Sequence, residues 1–170
     1  MRPRFRLLIA LVALIAVLGA FSSTAVAATS ATNTKKVPVA GTIAGGGTFS
    51  GTFTITKFAV QNNQIVAIGT LTGTLTDAAG NVIGTVTQQA TFPVTFGQHS
   101  CTILELTLGP LDLNLLGLVV HLDQVHLKIT AEPGSGNLLG NLLCQIAGLL
   151  DNGASLSAIV DKLNQLLKLL

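Results

Sequence analysis

The chain has 170 residues, with no tryptophan, no tyrosine and only 9% charged residues. Carbohydrate recognition relies on flat aromatic platforms, and those two residue types are missing. The five phenylalanines after residue 27 lie in strand-like segments, mostly at inward-looking positions, which weakens a lectin reading. Arginine occurs only at Arg2, Arg4 and Arg6. Nine Lys and Arg less these three leave six lysines against seven acids, a net side-chain charge of −1. A chain that is near neutral and free of arginine beyond its first residues lacks the basic footprint that phosphate backbones require, so no nucleic-acid partner is expected. Low charge combined with 49% hydrophobic residues also excludes the compositional class of disordered chains.

The three arginines open the chain. An apolar run, Leu7 to Phe21, follows, then small residues ending Ala25-Val26-Ala27-Ala28. At about 15 residues the run is short for a membrane span of ~20. A basic start, a short apolar run and an A-x-A site together predict a secretory signal peptide over residues 1–27, cleaved after Ala27, with Ala28 as the second choice. An uncleaved anchor is the alternative. Export implies an oxidising compartment, extracellular or periplasmic. There the only two cysteines, Cys101 and Cys144, most simply form a disulfide. On the chain-entropy model such a loop contributes ~4 kcal/mol. Free thiols or metal ligation are the alternatives.

Residues 28–36 are polar and read as a flexible leader, and residues 37–170 as one β-rich domain with a helical part over 137–170. Thr48 to Val60 alternates with Phe49, Phe53 and Ile55 inward, then changes parity at Lys57 to Phe58 and Val60, the mark of a bulge. Gln61 to Gln64 reads as a turn. In the next strand Ile65, Ala67, Leu71 and Leu75 share one face, with threonines opposite. Asp77 to Asn81 is a second turn, in which Gly80 and Asn81 tolerate positive φ. Val82, Gly84, Val86, Ala90, Phe92, Val94 and Phe96 then alternate with Thr85, Thr87, Gln89, Thr91 and Thr95, a sheet with one buried and one wetted face. Pro93 places that end at an edge or bulge. Cys101–Leu108 and Leu111–Leu115, broken by Gly109-Pro110, read as strands, although Leu111–Leu118 is ambiguous with helix. Another parity change falls at Asp123-Gln124. The expected architecture is mainly β: an antiparallel curved sheet, sandwich or partial barrel with strands in up-and-down order, closed by two C-terminal helices.

After Pro133-Gly134-Ser135-Gly136 the period becomes helical. Asn137, Asn141 and Gln145 form a thin polar stripe on a helix otherwise covered by leucine, so that helix is buried or lies on something apolar. Its expected place is the concave side of the strands, tied there by Cys101–Cys144. Ser155 suits the N-cap of a second helix. Leu156, Ile159, Val160, Leu163, Leu166, Leu167 and Leu170 form its apolar stripe, and Asp161, Lys162, Asn164, Gln165 and Lys168 are expected to face water.

The residues that could carry chemistry are few. A metal site needs several convergent ligands. His121 with Asp123 would complete at most a weak one, and His126 lies across the parity change. An enzyme would need His99, His121 and an acid within hydrogen-bond reach. Ser100 and Ser135, with Asp112 or Asp123 as orienting acid, sit in no nucleophile elbow, and no carboxylate pair for glycoside chemistry is evident. Gly134-Ser135-Gly136-Asn137-Leu138-Leu139-Gly140 is superficially like a dinucleotide fingerprint, but its third glycine comes one place late. The plain reading is a turn that lets the backbone enter the helix. No catalytic residue, cofactor or metal is therefore assigned.

The segment Leu108-Gly109-Pro110-Leu111-Asp112-Leu113-Asn114-Leu115-Leu116-Gly117-Leu118, followed by Pro133-Gly134-Ser135-Gly136-Asn137-Leu138-Leu139-Gly140-Asn141-Leu142-Leu143-Cys144, resembles a set of exported bacterial proteins of uncharacterised function. The resemblance covers about Cys101 to Asp151 and implies no activity. The expectation is thus a secreted, non-enzymatic protein that holds a lipid or other apolar small molecule between sheet and helices. The expected lining is Leu138, Leu142, Leu143, Ile146, Phe92 and Phe96, with peripheral contact to a membrane or cell envelope. The alternative is a cell-surface or matrix component whose threonine-rich face makes protein contacts. The oligomeric state is left open.

Overall fold

The computed structural model describes residues 35–170. The signal peptide expected over residues 1–27 and residues 28–34 of the leader lie outside the described residues. Eight strands come first: β1 (Lys35–Ile43), β2 (Thr48–Gln61), β3 (Gln64–Thr76), β4 (Val82–His99), β5 (Ile103–Leu108), β6 (Leu111–Leu115), β7 (Leu118–Leu122) and β8 (Val125–Thr130). Two helices follow, α1 (Leu138–Asp151) and α2 (Leu156–Leu169). The first strand thus begins two residues before the expected domain start. The strands form one antiparallel, curved, unclosed sheet in the order β6-β7-β1-β2-β3-β4-β5-β8.

Up-and-down order holds only from β1 to β5. The hairpin of β6 and β7 crosses to the far side of β1, and β8 returns to pair with β5. The parity change at Asp123-Gln124 is therefore not a bulge. It is the point at which the chain leaves one end of the sheet for the other. The change at Lys57 is a true bulge: the β2–β3 register slips between Ile55 and Lys57, and Phe58 is turned into the core. Pro93 has a physical reason for its place. β4 pairs with β3 as far as Val66↔Pro93 and with β5 from Val94↔Leu108, so a residue without an N–H stands where the strand changes partner.

The inward parities meet in one core. Phe49, Phe53, Leu71, Leu75 and Phe92 are fully buried, and the rings of Phe53 and Phe92 stand 4.6 Å apart. Phe49 fits because it lies over glycine: a Cβ on Gly73 would stand 2.5 Å from its ring. The two-residue turn Asn62-Asn63, with φ 49° and 59°, joins β2 to β3 in the geometry that the right-handed twist of paired strands favours.

The helices divide their work differently from expectation. α2, not α1, lies along the sheet, chiefly against β2, while α1 packs on α2 and reaches the strands at β5. Leu143 and Ile146 of α1 join the same core as Leu163 and Leu166 of α2. Ser155 caps α2, its side chain accepting a hydrogen bond from the Ala158 N–H. Among the described residues no helix is long and apolar enough to cross a membrane.

Candidate functional site

Each helix is fastened to a backbone segment by one asparagine. In α2, the Asn164 amide oxygen accepts from the Phe58 N–H at 2.8 Å, and its nitrogen donates to the Phe58 carbonyl at 3.0 Å. The β1–β2 register ends at Lys35↔Ile55. Past the bulge, Asn164 thus meets both polar groups of the Phe58 backbone, and it faces the sheet instead of water as expected. In α1, Asn141 makes the same pair of bonds to Gly134, at 2.9 and 2.8 Å. Gly140 sits so close to the chain at Glu132 that a Cβ would overlap the Glu132 carbonyl. The glycine-rich segment before α1 is therefore a docking loop read from both sides, and its third glycine serves close packing.

An apolar crevice opens where α2 faces β8. Ile55 and Phe58 of β2 and Leu106 of β5 form its floor. Leu127 and Ile129 of β8 form one wall, and Leu163, Leu166, Leu167 and Leu170 the other. Lys128 is its one charged residue, and it holds Glu105 at 3.2 Å on the rim. The enclosed space is about 40 Å³. A water-sized void takes ~10–15 Å³ on this measure, so the crevice accepts a few methyl or methylene groups and no more without movement of α2.

The six residues expected to line a cavity are not brought together around this one. Phe92, Leu142, Leu143 and Ile146 are packed into the core. Phe96 is partly buried against it. Leu138 is exposed beside Ala131 and Glu132 in an open depression at the start of α1. The crevice lies under α2 instead. Two signals in the sequence pointed to it: the parity change that turns Phe58 inward, and the apolar stripe of the second helix.

Cys101 and Cys144 are joined in a disulfide, and no described cysteine is free. The three histidines are dispersed. His99 bonds Asp151 at 3.1 Å, which ties the end of β4 to the end of α1. His121 bonds Asp112, its neighbour across β6–β7, at 2.7 Å, so the acid beside it is Asp112 and not the Asp123 weighed for a weak site. His126 meets Thr107 at 3.1 Å. His99 and His121 have different carboxylates. Among the described residues no group of three His, Cys, Asp or Glu is placed to hold a metal.

The opposite face of the central strands carries hydroxyl and amide side chains in register. Ser50, Thr74 and Thr85 form one row, Thr52, Thr72 and Thr87 the next, and Thr54, Thr70 and Gln89 a third. No family model, no curated protein and no solved structure matches the chain.

Proposed function

We propose that this is an exported, non-enzymatic binding protein whose working surface is the crevice between α2 and β8, which receives an apolar group of a lipid-like molecule. The observation that carries the proposal is the lining, nine apolar side chains with one lysine on the rim. Ligand pockets combine a mostly apolar wall with a few orienting polar groups in this way. The basic, apolar and small-residue sequence of the first 27 residues and the disulfide support export. The resemblance of the Cys101–Asp151 region to exported bacterial proteins supports it too.

The test is lipid extraction of the purified protein followed by mass spectrometry, with thermal melts in lauric acid. A bound apolar molecule, or a rise in Tm of about 2–5 °C at saturating lauric acid, is the expected result. The absence of both defeats the proposal. The three polar rows favour a second reading, a surface component making protein contacts through that face. Replacing Thr72 and Thr87 by lysine would abolish binding to a partner of that kind and leave the lauric acid response unchanged.

A further inference from the structure

We infer that the crevice beneath α2 is one half of a peptide-binding site whose other half is the outer edge of β8. An extended polypeptide segment pairs with β8 as an added strand and lays an aliphatic side chain in the crevice. The inference shares with the proposed function only the crevice as a receptor for an apolar group, and it names the molecule that carries the group.

The edge follows from the register. β8 stands last in the sheet, and among the described residues its one strand partner is β5. In an antiparallel pair, residues that exchange both backbone bonds alternate with residues whose N–H and C=O point away from the partner. The Ala131 N–H donates to the carbonyl of Thr102, the residue opposite it. Ile129, Leu127 and Val125 share the parity of Ala131 and face β5. Thr130, Lys128 and His126 therefore turn their N–H and C=O outward. Among the described residues nothing bonds those groups. Donors and acceptors thus alternate along roughly 14 Å of exposed backbone.

Edges of this kind are usually guarded by proline, a bulge or an outward lysine. β8 has no proline, and its six pairs with β5 run in unbroken register. Its lysine is drawn the other way, Lys128 onto Glu105 at 3.2 Å, and His126 leans onto Thr107 at 3.1 Å. Both side chains are held over β5, and the edge is left uncovered.

Edge and crevice together select the occupant. A row of alternating partial charges is complemented by another extended backbone, and not by an acyl chain, which has no donors or acceptors along its length. Alternate side chains of such a strand point inward beside Leu127 and Ile129. There α2 faces β8 across the crevice, so one of them enters it. A space of about 40 Å³ takes the methyl groups of a valine, leucine or isoleucine and is too small for an indole. A second copy of the chain suits the edge less well. Full antiparallel overlap of two β8 strands sets Lys128 of one copy opposite Lys128 of the other, and like charges directly opposite are destabilising. Main-chain bonds supply the affinity and the crevice the selectivity. So short a strand buries little area, and binding is accordingly weak.

The test uses the intact, disulfide-bonded protein and a fluorescein-labelled peptide with the sequence of β5, flanked by lysines for solubility. That sequence already pairs antiparallel to β8 with its leucines inward. Fluorescence anisotropy should show saturable binding below about 1 mM peptide. Alanine in place of the peptide's central leucine, the counterpart of Leu106, should weaken binding at least fivefold. N-methylation separates strand pairing from plain apolar contact. A methyl on the amide of the peptide's glutamate, which points at β8 in the added strand, should weaken binding at least tenfold. The same methyl on the next leucine amide, which points away, should change it less than twofold. In the protein, Thr130→Pro removes an outward N–H and no bond to β5. It should weaken peptide binding at least fivefold and leave the Tm response to lauric acid unchanged, since the Thr130 side chain lies outside the crevice.

Absence of peptide binding, equal losses from the two methyl groups, or normal binding to Thr130→Pro would each overturn the inference. So would a wild type that sediments as a dimer while Thr130→Pro sediments as a monomer, which assigns the edge to a second copy. The two readings of the crevice fail separately. A lauric acid response without peptide binding upholds the lipid-like ligand alone, and peptide binding without a lauric acid response upholds the added strand alone.

Discussion

The two ends of this molecule solve the same problem, an unclosed sheet, by opposite means. At the helix end, β8 stands at the edge of the sheet, and α2 lies along the strands, chiefly against β2. Asn164 holds the bare backbone at Phe58, and α1 is fastened behind α2 by Asn141 and the disulfide. At the turn end there is no helix. Three hairpin turns close over the sheet and leave Leu116 and Val82 in water. One end is held by long-range ties between segments far apart in sequence. The other rests mainly on bonds that each turn makes within itself, such as that from the Gly117 N–H to Asn114 Oδ1 at 2.9 Å, with one bond across turns from the Ala44 N–H to the Val119 carbonyl. Long-range ties order the chain and cost loop-closure entropy. Local ones leave the tips free to meet a partner.

The ties at the helix end should dominate stability. Replacing Cys101 and Cys144 by serine opens a link across 43 residues and should cost ~4 kcal/mol, read as a lower urea midpoint. A loss below ~1 kcal/mol would mean that the helices keep their place without the link. Asn164→Ala should cost about 2–3 kcal/mol, because it leaves both polar groups of a part-buried backbone residue without their partner. Its effect should exceed that of Asn114→Ala at the turn end, where water can take over the lost bond. Equal losses would remove the distinction between the two ends.

Much of the sheet was legible in the sequence because period-two alternation reports directly on burial. The inward sets Phe49, Phe53, Ile55 and Val86, Ala90, Phe92 are the buried ones. The bulge at Lys57 was legible for the same reason. Strand order was not. The alternation of Leu118–Leu122 and Val125–Thr130 says that both are strands but not that they lie at opposite ends of the sheet, since a side-chain pattern carries no information about partners. Asn164 was misread on similar grounds. Polar residues on an amphipathic helix face water by default, and only the Phe58 backbone beyond the bulge, which it bonds twice, turns this one inward. The crevice was legible in its parts, Phe58 and the α2 stripe, but leucine that lines a space has the same pattern as leucine that fills one.

The smallest expected effect lies at the turn end and has a pH signature. Asp77 accepts hydrogen bonds from the backbone N–H of Asn81 at 2.8 Å and of Ala79 at 2.9 Å, and from the Asn81 side chain at 3.2 Å. The Asn81 backbone bond first, then its side chain, hold the carboxyl below its ordinary value of 3.8. A carboxyl lowered on folding favours the folded state above its unfolded value, and that contribution is lost as pH falls through the folded value. Asp77→Ala should therefore lower the urea midpoint slightly near neutral pH, and the gap from wild type should close in acid, as pH falls below 3.8. Asn164→Ala, which removes no titrating group, should keep its gap across the same range. A gap for Asp77→Ala that persists unchanged in acid would show that the turn is held by its backbone bond between Asp77 and Gly80 and not by the carboxylate.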